Sequence, residues 1–104
     1  MYRLAKSAPP TREDFIPLFL KPHKPFAHLQ EECRACGLSV HREPAESQKL
    51  QRVVPGFRTA IIVSAVLDSE HGVIKATPTG SSHHTWWVPD GMDASSLEWV
   101  INRG

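Results

Sequence analysis

The sequence has no long apolar run and contains little cysteine or glycine. Its longest uninterrupted apolar run covers residues 60–63, far short of the roughly 20 residues that a membrane-spanning helix needs. The first residues lack the apolar centre of a secretory signal. Two cysteines cannot form a disulfide framework, and the six glycines are too dispersed for a phosphate-binding loop. These absences predict a cytoplasmic protein that has no membrane partner.

Charge is also nearly balanced, with a formal net charge of +1 at pH 7. Such a chain has no overall field that would attract nucleic acid, which argues against a nucleic-acid partner. Lys and Arg nevertheless outnumber Asp and Glu in residues 1–52, whereas the opposite holds in residues 53–104. Any anion-binding surface is therefore expected in the first half.

The 104 residues, 40% apolar and 22% charged, predict a single domain over residues 1–104. Strand-like and helix-like segments do not alternate regularly, which favours an α+β fold. We expect a twisted, mostly antiparallel sheet of about five strands with two or three helices. Expected strands cover residues 2–4, 37–41, 58–67, 73–77 and 83–88; expected helices start at Thr11, Pro44 and Asp93, with a single helical turn near residues 29–33.

Helical spacing defines the apolar faces of the three expected helices. The strand over residues 58–67 is apolar on both faces, so we expect it at the centre of the sheet with residues 73–77 as its hairpin partner. The residues expected on the apolar helical faces are Phe15, Leu18 and Phe19, then Ala45, Leu50 and Val53, and finally Leu97, Val100 and Ile101.

Histidine and tryptophan are concentrated in one expected strand, His83–Val88. Because side chains alternate along a strand, His83, Thr85 and Trp87 share one face. If the opposite face, with Trp86, lies in the core, this stripe could bind a planar or anionic molecule by stacking and hydrogen bonding. The alternative is that one tryptophan is core and the histidines are only solvated.

Two further groups of residues are candidate sites. Arg3 on the first strand, with Ser39 and His41 on a later one, could hold a phosphate or ribose, because a guanidinium matches phosphate oxygens. A Cys-x2-Cys motif flanked by two histidines has spacing that fits zinc, although two ordinary thiols or a redox pair remain alternatives. The candidate zinc ligands are His28, Cys33, Cys36 and His41.

Several short motifs also carry a resemblance. Tyr2-Arg3-Leu4, Gly37-Leu38-Ser39-Val40 followed by a helix, and His83-His84-Thr85-Trp86-Trp87 resemble motifs of a group of small bacterial proteins of unassigned function. More remotely, the layout is similar to the ADP-ribosyltransferase-like fold. That resemblance implies that Arg3 and Ser39 touch NAD and that His83 or Thr85 lies near the third position of the site. The late strand has no glutamate, which such enzymes often supply there.

The leading hypothesis is a binding or interaction module for a small molecule or a protein. Its expected polar-aromatic pocket consists of Arg3, Ser39, His41, His83, Thr85 and Trp87. One alternative is an NAD-handling enzyme or toxin with the ADP-ribosyltransferase-like layout. Another is an adaptor stabilised by zinc. The sequence leaves open whether the protein is an enzyme.

Overall fold

The computed structural model describes residues 1–21, 24–77 and 82–102. It confirms an α+β domain, with one antiparallel sheet of six strands and, in the described residues, two α-helices. The strands are β1 (Tyr2–Ala5), β2 (Leu38–His41), β3 (Ile61–Ser64), β4 (Val73–Ala76), β5 (His83–Trp87) and β6 (Val100–Ile101), and the helices are α1 (Leu29–Ala35) and α2 (Pro44–Val53).

The strand order is β4-β5-β2-β1-β3-β6. Four residue pairs join β2 to β5, and another four join β1 to β3. By contrast, β1 and β2 are in register only at Tyr2 and His41 within the described chain. The sheet therefore consists of two half-sheets, β4-β5-β2 and β1-β3-β6, which are joined at a single residue pair.

Each face of the sheet is covered differently. Leu38, Val40, Trp86 and Ala94 form the buried core on one face, against which Phe15 and Trp99 pack. Residues paired in register share a face, so His41 and His83 lie together on the other face, where α2 packs against β1, β2 and β3. The alternation of side chains predicted for β2 and β5 is confirmed, with Trp86 fully buried in the core.

Pro44 begins α2, as expected, and the helix ends at Val53. The expected buried positions were wrong, however, because Ala45 and Val53 are exposed and Leu50 is only half-buried. The fully buried residue of this helix is Ser47. The helix thus turns a polar residue toward the sheet, where a histidine side chain is available to bond with it.

The expected helices after Thr11 and Asp93 are absent from the described chain. The first is replaced by two 3-10 turns, Arg12–Phe15 and Leu18–Leu20, because Pro17 cannot donate the helical hydrogen bond and pushes Ile16 into an extended conformation. Asp93 does cap a turn, by accepting from Ser95 N, but that turn is a 3-10 turn of three residues.

Pairing along β3 explains the remaining corrections. Val100 and Ile101 form β6 beside Ser64 and Val63, because the edge of β3 offers backbone partners that a surface helix would leave unpaired. Contrary to expectation, the strand β3 is not central but lies between β1 and the edge strand β6. It is shorter than expected and is covered on both faces, since consecutive Ile62 and Val63 are both buried. Its expected hairpin partner, β4, pairs instead with β5.

The single turn expected near residues 29–33 extends into the two-turn helix α1. No helix in the described part of the chain is long and apolar enough to cross a membrane.

Candidate functional site

A cleft opens where β1 and β2 diverge beyond the Tyr2–His41 pair. Its volume is about 1000 Å³, at the upper end of the range typical of ligand sites. Arg3, Ser39, His41 and His83 all line it, together with residues from the 3-10 turns and α1. We call this space the seam cleft, because it lies between the two half-sheets.

Arg3 bridges the seam cleft just after Tyr2, where β1 and β2 are no longer paired. Its two terminal nitrogens donate to the carbonyl oxygens of Ser39 and Asp14, each at 2.6 Å, and its guanidinium lies over the Phe15 ring at 5.4 Å from the centroid. Arg3 Nε is buried and has no hydrogen-bond partner among the described residues. The guanidinium is therefore fixed in place while one donor is left unused.

Burial lowers the pKa of Arg3 to about 10, and nearby Asp14 partly opposes this shift. Arg3 thus remains a cation at neutral pH. The Asp14 carboxylate is itself occupied, since its oxygens accept from Lys6 N at 2.7 Å and Thr11 N at 2.9 Å. Because that carboxylate is held by backbone amides rather than by the guanidinium, the charge of Arg3 is only partly compensated.

Two histidines form one end of the seam cleft. His41 and His83 face each other across the β2–β5 register, with ring centroids 5.3 Å apart. Burial lowers the pKa of both imidazoles; the proximity of His83 adds to the shift at His41, and Glu46 opposes it at both rings. Both rings are therefore predominantly neutral at pH 7. His83 Nδ1 is buried and unpaired among the described residues.

The start of α2 holds this pair. His41 Nδ1 lies 2.7 Å from Ser47 Oγ, and its Nε2 lies 3.6 Å from a carboxylate oxygen of Glu46. The other Glu46 oxygen accepts from Ser82 N at 2.8 Å, and this bond lowers the pKa of Glu46. With both nitrogens near partners and its side chain only 3% exposed, His41 supports the site, while His83 is the more accessible ring.

Four of the six expected pocket residues thus meet at one cleft, whereas Thr85 and Trp87 do not line it. Thr85 is buried, and its hydroxyl pairs with that of Thr77 at 2.7 Å. The Trp87 indole donates to the Cys33 carbonyl at 2.9 Å, which ties β5 to α1. Thr85 and Trp87 therefore have a structural role in this fold.

The four candidate zinc ligands are not brought together. His28 Nδ1 caps α1 by accepting from Glu31 N, His41 is held by α2, and Cys33 and Cys36 are exposed free thiols. In the described residues, no group of three or more His, Cys, Asp or Glu side chains is placed to bind a metal ion. Zinc is therefore not part of the function proposed below.

Sequence reasoning missed Glu46, Ser47 and Asp14. The two-residue connection between His41 and the helix that begins at Pro44 was a usable signal for Glu46 and Ser47. So short a connection keeps the first helical turn close to the end of the strand. Asp14 gave no comparable signal, because its partners are backbone amides of a loop whose path the sequence does not reveal.

Comparisons of this chain with protein-family models, with curated proteins and with solved structures found no match. The similarity to the ADP-ribosyltransferase-like fold thus stays a prediction, and the site's function is argued from its geometry.

Proposed function

We propose that the protein is a ligand-binding module that takes a small anionic molecule into the seam cleft. The observation that carries this proposal is Arg3, a cation that bridges the cleft and has a buried Nε with no hydrogen-bond partner in the described part of the chain. A buried donor without a partner costs free energy. An acceptor oxygen on a bound anion would satisfy it and would meet a positive charge as well.

His83 supports the same proposal from the end of the cleft. Its buried Nδ1 also lacks a partner among the described residues, and the ring lines the same space as Arg3. An imidazole can donate a hydrogen bond to an anion when neutral and can add a positive charge when protonated. Arg3 and His83 would thus contact different parts of one ligand.

Titration of the ¹⁵N-labelled protein with inorganic phosphate, acetate and NAD, followed by NMR, tests this proposal. We expect at least one anion to shift the Arg3 Nε–H signal and the His83 ring signals in a saturable way. Arg3→Lys keeps the charge but loses Nε and the planar fork, so it should weaken binding about tenfold or more. Arg58→Lys, the same substitution at an exposed position that does not line the cleft, is the matched control. Absence of any saturable shift with all three anions would contradict the proposal.

A second candidate function is NAD handling. It is favoured by one observation, the convergence of Arg3 and His83 on one cleft of sufficient volume. The absence of a glutamate from β5 means that another group would have to stabilise the developing charge in any transfer reaction. Saturable binding of NAD with release of nicotinamide would support this candidate, whereas binding without turnover would leave a binding module.

We also propose that the protein works in the cytoplasm. The two exposed free thiols are consistent with that location.

A further inference from the structure

The lining of the seam cleft is mixed. Arg3, His41 and His83 supply charged and polar groups, whereas Leu18 and Phe57 are apolar, and all five line the same space. A ligand that fills the cleft therefore meets both kinds of surface.

We propose that the ligand of the seam cleft is an amphiphilic organic acid, whose single acid group meets Arg3 and whose unbranched apolar body covers the apolar side chains of the cleft. This inference rests on the proposed function, since it names the class of anion that the cleft would take. It goes further in assigning an occupant to the apolar part of the lining.

Charge around the cleft favours a ligand with a single negative charge. Four basic side chains other than histidine line it, and three acidic ones oppose them, which leaves one positive charge uncompensated. A polyphosphate would meet the three carboxylates as well, at a cost in repulsion. The basic residues are Arg3, Lys6, Lys21 and Arg34, and the acidic ones are Glu13, Asp14 and Glu31.

The apolar part of the lining has side chains that are only partly covered by the fold. Leu18 is 50% exposed and Phe57 is 39% exposed, and both line the cleft. Ile16, Phe26 and Leu50 line it too. An apolar ligand that removes the surface of such side chains from water lowers the free energy of the complex. Their presence in the same cleft as a fixed cation matches a molecule that carries both properties.

The extent of the apolar lining limits the length of the ligand. We therefore expect affinity to rise with chain length and then to level off when the apolar side chains of the cleft are covered. Each added methylene should tighten binding about fourfold, which corresponds to about 0.8 kcal/mol.

Calorimetric titration with acetate, butyrate, hexanoate, octanoate and decanoate tests the inference. We expect the affinity to increase along this series until the apolar side chains of the cleft are covered. Leu18→Ser should reduce the gain per methylene. Leu20→Ser is the matched control, because Leu20 belongs to the same turn and is 72% exposed but does not line the cleft.

The outcomes separate this inference from the proposed function. Binding of phosphate or acetate with no dependence on chain length would overturn the inference and leave the binding module intact. Tighter binding of a nucleotide, or of a peptide with a free C-terminal carboxylate, than of decanoate would overturn it in favour of that ligand. If no anion binds at all, both proposals fail.

Discussion

At the scale of single residues, the site depends on backbone atoms as much as on side chains. Ser39 belongs to the site as expected, yet its contribution to Arg3 is a carbonyl oxygen, which any residue would supply. Asp14 contributes in the same way, through its own carbonyl. Sequence reasoning can therefore locate these positions without identifying the atoms that matter.

Gly37 lies so close to β5 that a larger residue would not fit there. A Cβ atom at this position would lie 2.5 Å from Thr85 Cγ2 and 3.1 Å from the Trp86 carbonyl oxygen. We expect Gly37→Ala to lower the free energy of unfolding by about 1–3 kcal/mol, because β5 would have to shift. Gly56→Ala is the control, since nothing lies within 4 Å of its added Cβ. Urea denaturation measures both, and equal losses would contradict the expectation.

Among the secondary-structure elements, those with clear chemical signals were predicted well. Pro44 marked the start of α2, and alternation marked β2 and β5. The element after Asp93 could not be predicted, because apolar residues at helical spacing also suit a short edge strand, and only the free edge of β3 decides between the two. Likewise, the sequence does not show that β1 and β2 part after one pair, although that divergence creates the cleft.

The link between β5 and α1 carries a prediction at this scale. Trp87→Phe removes the indole donor from the Cys33 carbonyl while keeping most of the ring. We expect the protein to lose about 1 kcal/mol of stability, the worth of one such hydrogen bond. Affinity for any anion in the seam cleft should remain unchanged, because Trp87 does not line it. Thermal unfolding and calorimetric titration test the two parts, and a large loss of affinity would restore Trp87 to the binding site.

For the whole molecule, the buried histidines make stability depend on pH. Folding lowers the pKa of His41 and His83, so the unfolded chain binds more protons than the folded one as the pH falls through the ordinary histidine range. Their contribution is complete above the unfolded pKa of about 6.5 and is lost as the pH falls toward the lower folded values. Glu46, whose pKa folding also lowers, acts in the same direction at lower pH.

We therefore expect the melting temperature to fall as the pH is lowered from 7 to 5. His83→Gln should make this dependence shallower, because one of the two titrating rings is removed. Calorimetry over the pH range measures the slope for both proteins. A melting temperature that rises on acidification would show that these rings gain rather than lose protons on folding.

The single residue pair between the half-sheets also bears on how the effects of substitutions combine. Gly72→Ala would place a Cβ against the Trp87 carbonyl in one half-sheet, and Ile62→Val would remove a buried methylene from the other. Substitutions that share no partner add to within about 0.5 kcal/mol, so the double variant should show simple additivity. A ligand that touches both half-sheets would remove this independence, and the coupling between two distant substitutions would then report whether the cleft is occupied.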